Sequence, residues 1–166
     1  MLTKLGLNTT VPYHFLFYSV VFGGTSFYSY VVSPIVFKKL PREQFSSLQT
    51  TVFPYYFLTQ SVAPIVLALT SPLKLCPFTI GLFAASSLGG LVNYLFLLPR
   101  THAIKEKRDK LHAEKADKTE SGEHTEEYAS LTKQFGAYHG SSLLANLVSV
   151  ATLGFYGLLL AKRLIK

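Results

Sequence analysis

Four stretches of this chain carry no Lys, Arg, Asp or Glu: Val11–Phe37, Gln44–Leu73, Leu75–Pro99 and Gln134–Ala161. A helix that crosses a bilayer needs about 20 mostly apolar residues at a rise of about 1.5 Å each. All four stretches exceed that length. Helices of a soluble bundle show a charged face every turn or two, and these do not. The sequence therefore predicts an all-α fold, an integral membrane four-helix transmembrane bundle. It forms one domain over 1–166, with spans at about 12–36, 52–70, 78–98 and 135–161.

The charges gather between these stretches. Arg100–Lys133 holds eight Lys/Arg and eight Asp/Glu and reads as a solvated connector between spans 3 and 4. Its first part is rich in helix formers with charge pairs four apart, so span 3 is expected to continue outward as a solvated helix. Loop 1 carries Lys38, Lys39 and Arg42. Loops 1 and 3 together hold 11 Lys/Arg, against 5 on the N-terminal segment, loop 2 and the C-terminal tail. The positive-inside bias places loops 1 and 3 in the cytosol and both termini outside or in a lumen. The first span reads as an uncleaved signal-anchor, and the sequon at Asn8-Thr9-Thr10 lies too near the membrane to be used.

The net charge of +7 fits such loops, and with no nucleic-acid motif in the chain no nucleic-acid partner is expected. A lone cysteine, Cys76, excludes an internal disulfide and a Cys-based zinc site. No Ser-His-Asp, HExxH, P-loop or dinucleotide fingerprint occurs. No catalytic residue, metal or cofactor is expected.

Small and hydroxyl residues recur at helical spacing. Ser19, Gly23, Ser26, Tyr30 and Ser33 share a face of span 1, Ser86, Gly90 and Asn93 one of span 3, and His139, Ser142, Asn146, Ser149 and Leu153 one of span 4. Such faces suit close helix packing. Gly136-x-x-x-Gly140 adds a small-residue contact pattern, and a homo-oligomer or another membrane protein is the expected partner beside the lipid bilayer. Pro64, inside span 2, is expected to distort it.

Polar groups within hydrocarbon are costly and mark candidate sites. Tyr30, Gln60, Asn93 and Asn146 each lie six or seven residues from the loop-1 and loop-3 end of their spans, about 9–10 Å deep. They are expected to form one polar layer, with Asn93 and Asn146 in contact. His14, Arg42, Arg100, Tyr138 and His139 are expected at the interfaces. His14 and His139 start their spans on opposite sides, about 30 Å apart, which argues against a shared metal.

A set of short blocks gives the chain a relative. His14, Ser19 and Gly23, Leu40-Pro41-Arg42, Phe45, Gln49, Phe53-Pro54, Tyr56-Phe57, Val92-Asn93, Pro99-Arg100-Thr101, Phe135, Tyr138-His139-Gly140, Ser142 and Asn146-Leu147 resemble the transmembrane protein 205-like family, also catalogued as domain of unknown function 4149. Where that family has a Glu before Pro-Arg, this chain has Leu98. The resemblance implies a four-span protein of eukaryotic endomembranes, such as the endoplasmic reticulum, or of the plasma membrane. It supplies no reaction. His14, Arg42, Asn93, Arg100, His139 and Asn146 resemble the family's recurring polar set.

Three functions remain open: a non-enzymatic protein that transports, exports or helps traffic a small molecule or protein, a structural or assembly subunit of a membrane complex, and a lipid-modifying enzyme with His139 as acid/base. A carrier needs a wet cavity reaching Asn93 and Asn146. A scaffold is packed dry there.

Overall fold

The computed structural model describes residues 6–165, without the Leu164 side chain. Lys4 and Lys166, counted in the charge balance, lie outside the described residues. Four helices carry the chain: α1, Val11–Lys39; α2, Arg42–Thr70; α3, Pro77–Ala113; and α4, Glu126–Leu164. Each is long and apolar enough to cross a membrane. The described residues contain no strand, only an isolated bridge between Lys118 and His124.

The starts of the helices follow local chemistry. Pro12 and Pro77 occupy the first turns of α1 and α3, where a missing N–H costs nothing. Pro41 caps α2, with Glu43 in the first turn. Thr125 Oγ1 caps α4 by accepting from the Tyr128 N–H, with Glu126 and Glu127 in its first turn and Lys162 and Arg163 in its last. Those charges complement the helix dipole. α2 and α4 begin about ten residues earlier than hydropathy alone indicates, because capping and helix propensity carry them past the apolar boundary.

α1 and α3 each contain one widened turn with hydrogen bonds five residues back, Tyr28–Val32 and Asn93–Leu97. Each ends two residues before a proline, Pro34 or Pro99. A proline lacks an N–H and its ring crowds the carbonyl four residues back. Widening the preceding turn moves that carbonyl aside. α2 runs as one helix through Pro54 and Pro64, so the wide turns fall at the other two prolines.

α3 is the centre of the bundle. A Cβ on Gly90 would lie 2.6 Å from Gln60 C and Ser61 N of α2, and one on Gly89 would lie 2.6 Å from the Ala145 carbonyl of α4. Two adjacent glycines thus bring α3 against both neighbours. α1 is peripheral: 11% of its most apolar stretch is buried, against 33%, 39% and 33% for α2, α3 and α4. The apolar core, with Tyr18, Leu67, Phe83, Leu153 and Tyr156, fills the half nearer the termini. Beyond the spans, α3 and α4 continue as a hairpin in which Ile104 and Leu131 are buried. We call its side of the molecule the hairpin end.

Candidate functional site

The half of the bundle nearer the hairpin end is joined by polar side chains. Asn146 of α4 is their hub. Its Oδ1 accepts from Tyr56 OH at 2.8 Å and from Gln60 Nε2 at 2.7 Å, and its Nδ2 donates to Ser29 Oγ at 3.1 Å. Ser29 Oγ lies 2.6 Å from Tyr56 OH. Tyr56 spends its proton on Asn146, so Ser29 donates to Tyr56. The result is a closed ring, Asn146 to Ser29 to Tyr56 and back to Asn146, in which each bond polarises the next. It ties α1, α2 and α4 together. Toward the hairpin end, Tyr28 OH donates to Gln49 Oε1 at 2.8 Å and Gln49 Nε2 donates to Ser33 Oγ at 3.0 Å.

α3 joins through smaller groups. Ser86 Oγ donates to the Ser149 carbonyl at 3.0 Å, and Ser87 Oγ to the Ser61 carbonyl at 2.6 Å. Asn93 Nδ2 donates to the Ser142 carbonyl at 3.2 Å. Asn93, Ser86 and Ser149 are fully buried, at 0% exposure, and Gln60 is at 1%. Gln60 Oε1 and Asn93 Oδ1 are buried acceptors without a partner.

The four residues expected in this layer divide. Gln60 and Asn146 bond directly. Asn93 does not reach Asn146, and its amide goes to a backbone carbonyl one turn away. Tyr30 is half exposed and does not join. Ser29, Tyr28, Tyr56 and Gln49 take its place. The inward face of α1 is His14, Tyr18, Val21 and Thr25. Of the expected face, Ser19, Gly23 and Tyr30 turn outward, whereas Ser33 bonds Gln49 and Ser26 Oγ is buried. The reason is hydrogen bonding. Ser19 satisfies itself by donating to the Phe15 carbonyl at 2.8 Å, so it can face lipid. Histidine and the tyrosines need partners that only the bundle supplies.

His14 is not interfacial in the exposed sense, since it is buried at 2% exposure. Thr70 Oγ1 donates to the Val66 carbonyl at 2.8 Å, so His14 Nδ1–H donates to Thr70 at 2.9 Å. Nε2 then accepts from Tyr156 OH at 2.6 Å, and Ser71 Oγ reaches Tyr156 at 3.1 Å. This second polar cluster joins α1, α2 and α4 at the terminal end.

The remaining expected residues lie at the hairpin end. Arg42 is exposed. Arg100 sits 5.9 Å from the centre of the Phe96 ring and 6.0 Å from that of Tyr138. His139 is exposed and stacks on Phe135 at 5.7 Å. Arg108 lies 5.2 Å from both the Tyr128 and Phe135 rings. Among the described residues no group of three or more His, Cys, Asp or Glu is placed to hold a metal. A groove of about 480 Å³ between α1 and α2 runs along the lipid face to Thr25, Tyr28 and Tyr56.

A model of the family described as "Domain of unknown function (DUF4149)" matches residues 16–110, more than half of the chain. The chain belongs to this family. Within the matched part of this DUF4149 protein lie Ser29, Tyr56, Gln60, Asn93 and Arg100, whereas Asn146, Tyr138 and His139 lie beyond it. A curated relative, Xanthocillin biosynthesis cluster protein D of Aspergillus fumigatus, is 36% identical over 66 residues. That alignment covers 40% of this chain and 42% of the relative, so the chain spans under half of the relative it matches. No solved structure matches the chain.

Proposed function

We propose that this membrane-spanning protein is a non-enzymatic assembly subunit, built to hold a fixed helical surface for another membrane component. The observation that carries this reading is the dryness of the polar layer. Gln49, Gln60, Ser86, Asn93, Asn146 and Ser149 stand at 0–8% exposure. All but two of their polar atoms, Gln60 Oε1 and Asn93 Oδ1, are bonded within the bundle, as expected of groups that fix helix register rather than receive a solute. Ser29, Tyr28 and Tyr56 are half-buried beside the α1–α2 groove. The small-residue faces support it further. Cβ atoms built on Gly23, Gly24, Gly136 and Gly140 would meet nothing within 4 Å, so these faces are free for a partner helix or a second copy of the chain.

An enzymatic role has little support, since His139 is exposed, stacks on Phe135 and has no nucleophile or carboxylate bonded to it. The resemblance of the sequence blocks favours the transmembrane protein 205-like branch and an endomembrane or plasma-membrane site, and the bias of Lys and Arg favours loops 1 and 3 in the cytosol. The unpartnered oxygens of Gln60 and Asn93 favour a second reading, small-molecule transport or export, in which a solute with two hydrogen-bond donors displaces the dry packing.

Cysteine accessibility separates the two. With Cys76→Ser as background, single Ser86→Cys, Asn93→Cys and Ser149→Cys variants are exposed to a membrane-impermeant thiol reagent from each side. Ser121→Cys in loop 3 serves as the labelled control and reports sidedness. Protection at all three buried positions is expected, with Ser121→Cys reacting from the cytosolic side. Labelling at 93 and 149 in folded protein overturns the assembly reading in favour of a carrier.

A further inference from the structure

The charges of the hairpin end are sorted by depth. Next to the apolar boundary stand Lys38, Lys39, Arg42, Arg100 and Lys133, with Glu43 as the one carboxylate. The eight carboxylates of loop 3 begin at Glu106 and end at Glu127. Glu106 is six residues beyond Arg100 and Glu127 six residues before Lys133, each about 9 Å along its helix. Both separations exceed the Debye length of about 8 Å at physiological salt. The acidic groups that balance loop 3 overall therefore do not neutralise the ring of cations at the membrane surface.

Arg100 is the most organised member of that ring. It stands directly after Pro99, three residues beyond the widened turn of α3, and its guanidinium lies about 6 Å from the centres of the Phe96 and Tyr138 rings. Among the described residues, Arg100, Tyr138 and His139 make no side-chain hydrogen bond, and no ion pair involves Arg42 or Arg100. Two idle donors, Arg100 and Tyr138, thus stand at the α3–α4 junction, the guanidinium flanked by two aromatic rings. Arg108, higher in the hairpin, already spends Nη2 on Tyr128 OH at 3.4 Å and lies too far out to share the site.

We propose that this junction binds the phosphate of an anionic glycerophospholipid in the leaflet at the hairpin end. A guanidinium offers a planar fork of donors that matches phosphate oxygens. The Tyr138 ring lies 6.0 Å from it, and the apolar flanks of α3 and α4 receive the acyl chains. The charge complementarity is with a membrane surface, because the cation ring follows the apolar boundary while the carboxylates stand off from it.

The test is the melting of the full-length purified protein in detergent micelles with added phosphatidylserine, phosphatidylcholine or glycerol phosphate, at low and high salt. Phosphatidylserine is expected to raise the melting temperature, and phosphatidylcholine and glycerol phosphate are expected to leave it unchanged. Arg100→Gln is expected to weaken the phosphatidylserine response about fivefold in apparent affinity, the effect of about one cation at an anionic surface. Lys162→Gln with Arg163→Gln, at the other end, is expected to leave it intact. Equal responses to the two lipids overturn the proposal, as does full retention in Arg100→Gln. A response to glycerol phosphate assigns the site to free phosphate and overturns it as a lipid site. Should Arg100→Gln fail to fold, the unaltered protein decides: a response that shrinks with salt supports the site, and one indifferent to salt overturns it.

Discussion

Replacing Asn146 by Leu removes the hub of the hydrogen-bonded ring at nearly constant volume. Three bonds are lost, to Tyr56, Gln60 and Ser29, at 2.8, 2.7 and 3.1 Å. Side-chain hydrogen bonds within a bilayer average about 0.6 kcal/mol and reach about 1.7, so the three together contribute about 2 kcal/mol. Ser29 and Gln60 keep Tyr56 as their acceptor, and the Tyr56 hydroxyl, which loses its own, turns to the Thr25 carbonyl at 3.4 Å, so no donor is fully stranded. The expected cost is about 2 to 3 kcal/mol. Asn93→Leu is the control. It removes a single 3.2 Å bond to Ser142 and also an acceptor that has no partner, so the two effects nearly cancel and the net cost is under about 1 kcal/mol. The assay is equilibrium unfolding in mixed micelles of increasing SDS fraction, read by the near-ultraviolet signal of the tyrosines. A Tyr56→Phe and Asn146→Leu double-mutant cycle is expected to show strong non-additivity, because both members belong to one ring. Equal costs for Asn146→Leu and Asn93→Leu would refute the assignment of Asn146 as the hub.

Gly90→Ala places a methyl 2.6 Å from the α2 backbone and forces α2 and α3 apart, with an expected loss of about 1–3 kcal/mol. Gly136→Ala, with nothing within 4 Å of its Cβ, is expected to leave the unfolding midpoint of the monomer unchanged, and any effect should appear as a shift in oligomer mass by light scattering. The turn between α3 and α4 is expected to loosen in acid. His112 Nδ1 lies 2.9 Å from Asp117 Oδ2, and this hydrogen bond holds the Asp117 carboxyl below its ordinary value of 3.8. A lowered folded value means the stabilisation is fully present above that ordinary value and is lost as pH falls through the lowered one. Amide exchange at Lys118–Thr125 should therefore rise below pH 3.8, and Asp117→Asn should show the fast exchange already at neutral pH.

The sequence made the spans legible because hydrocarbon tolerates no unpaired charge, so four uncharged runs leave few alternatives. Their polar residues were half legible. Gln60, Asn93 and Asn146 stand out as amides in apolar runs, and all three are buried. Tyr56 and Ser29 did not stand out, because tyrosine and serine also face lipid or satisfy themselves within a helix, as Ser19 does. Gln49 was hidden by its closeness to the charged loop, although its amide bonds both Tyr28 and Ser33. The widened turns had a signal that hydropathy misses: a proline within a long apolar helix. Four internal prolines carry that signal, and two of them show the widening.

What the chain's composition and order determined is therefore the medium and the count: four membrane-crossing helices, with the charges beyond them. These follow from local free energies, since each helix must bury its own backbone polar groups in lipid whatever its neighbours do. Which side chains meet was decided by tertiary structure alone. The face that α1 turns inward, the pairing of Asn146 with Gln60 rather than Asn93, and the burial of His14 against Tyr156 depend on helix rotation and depth. Those are set by which arrangement gives most buried polar groups a partner at once, and that is a property of the whole bundle rather than of any one helix.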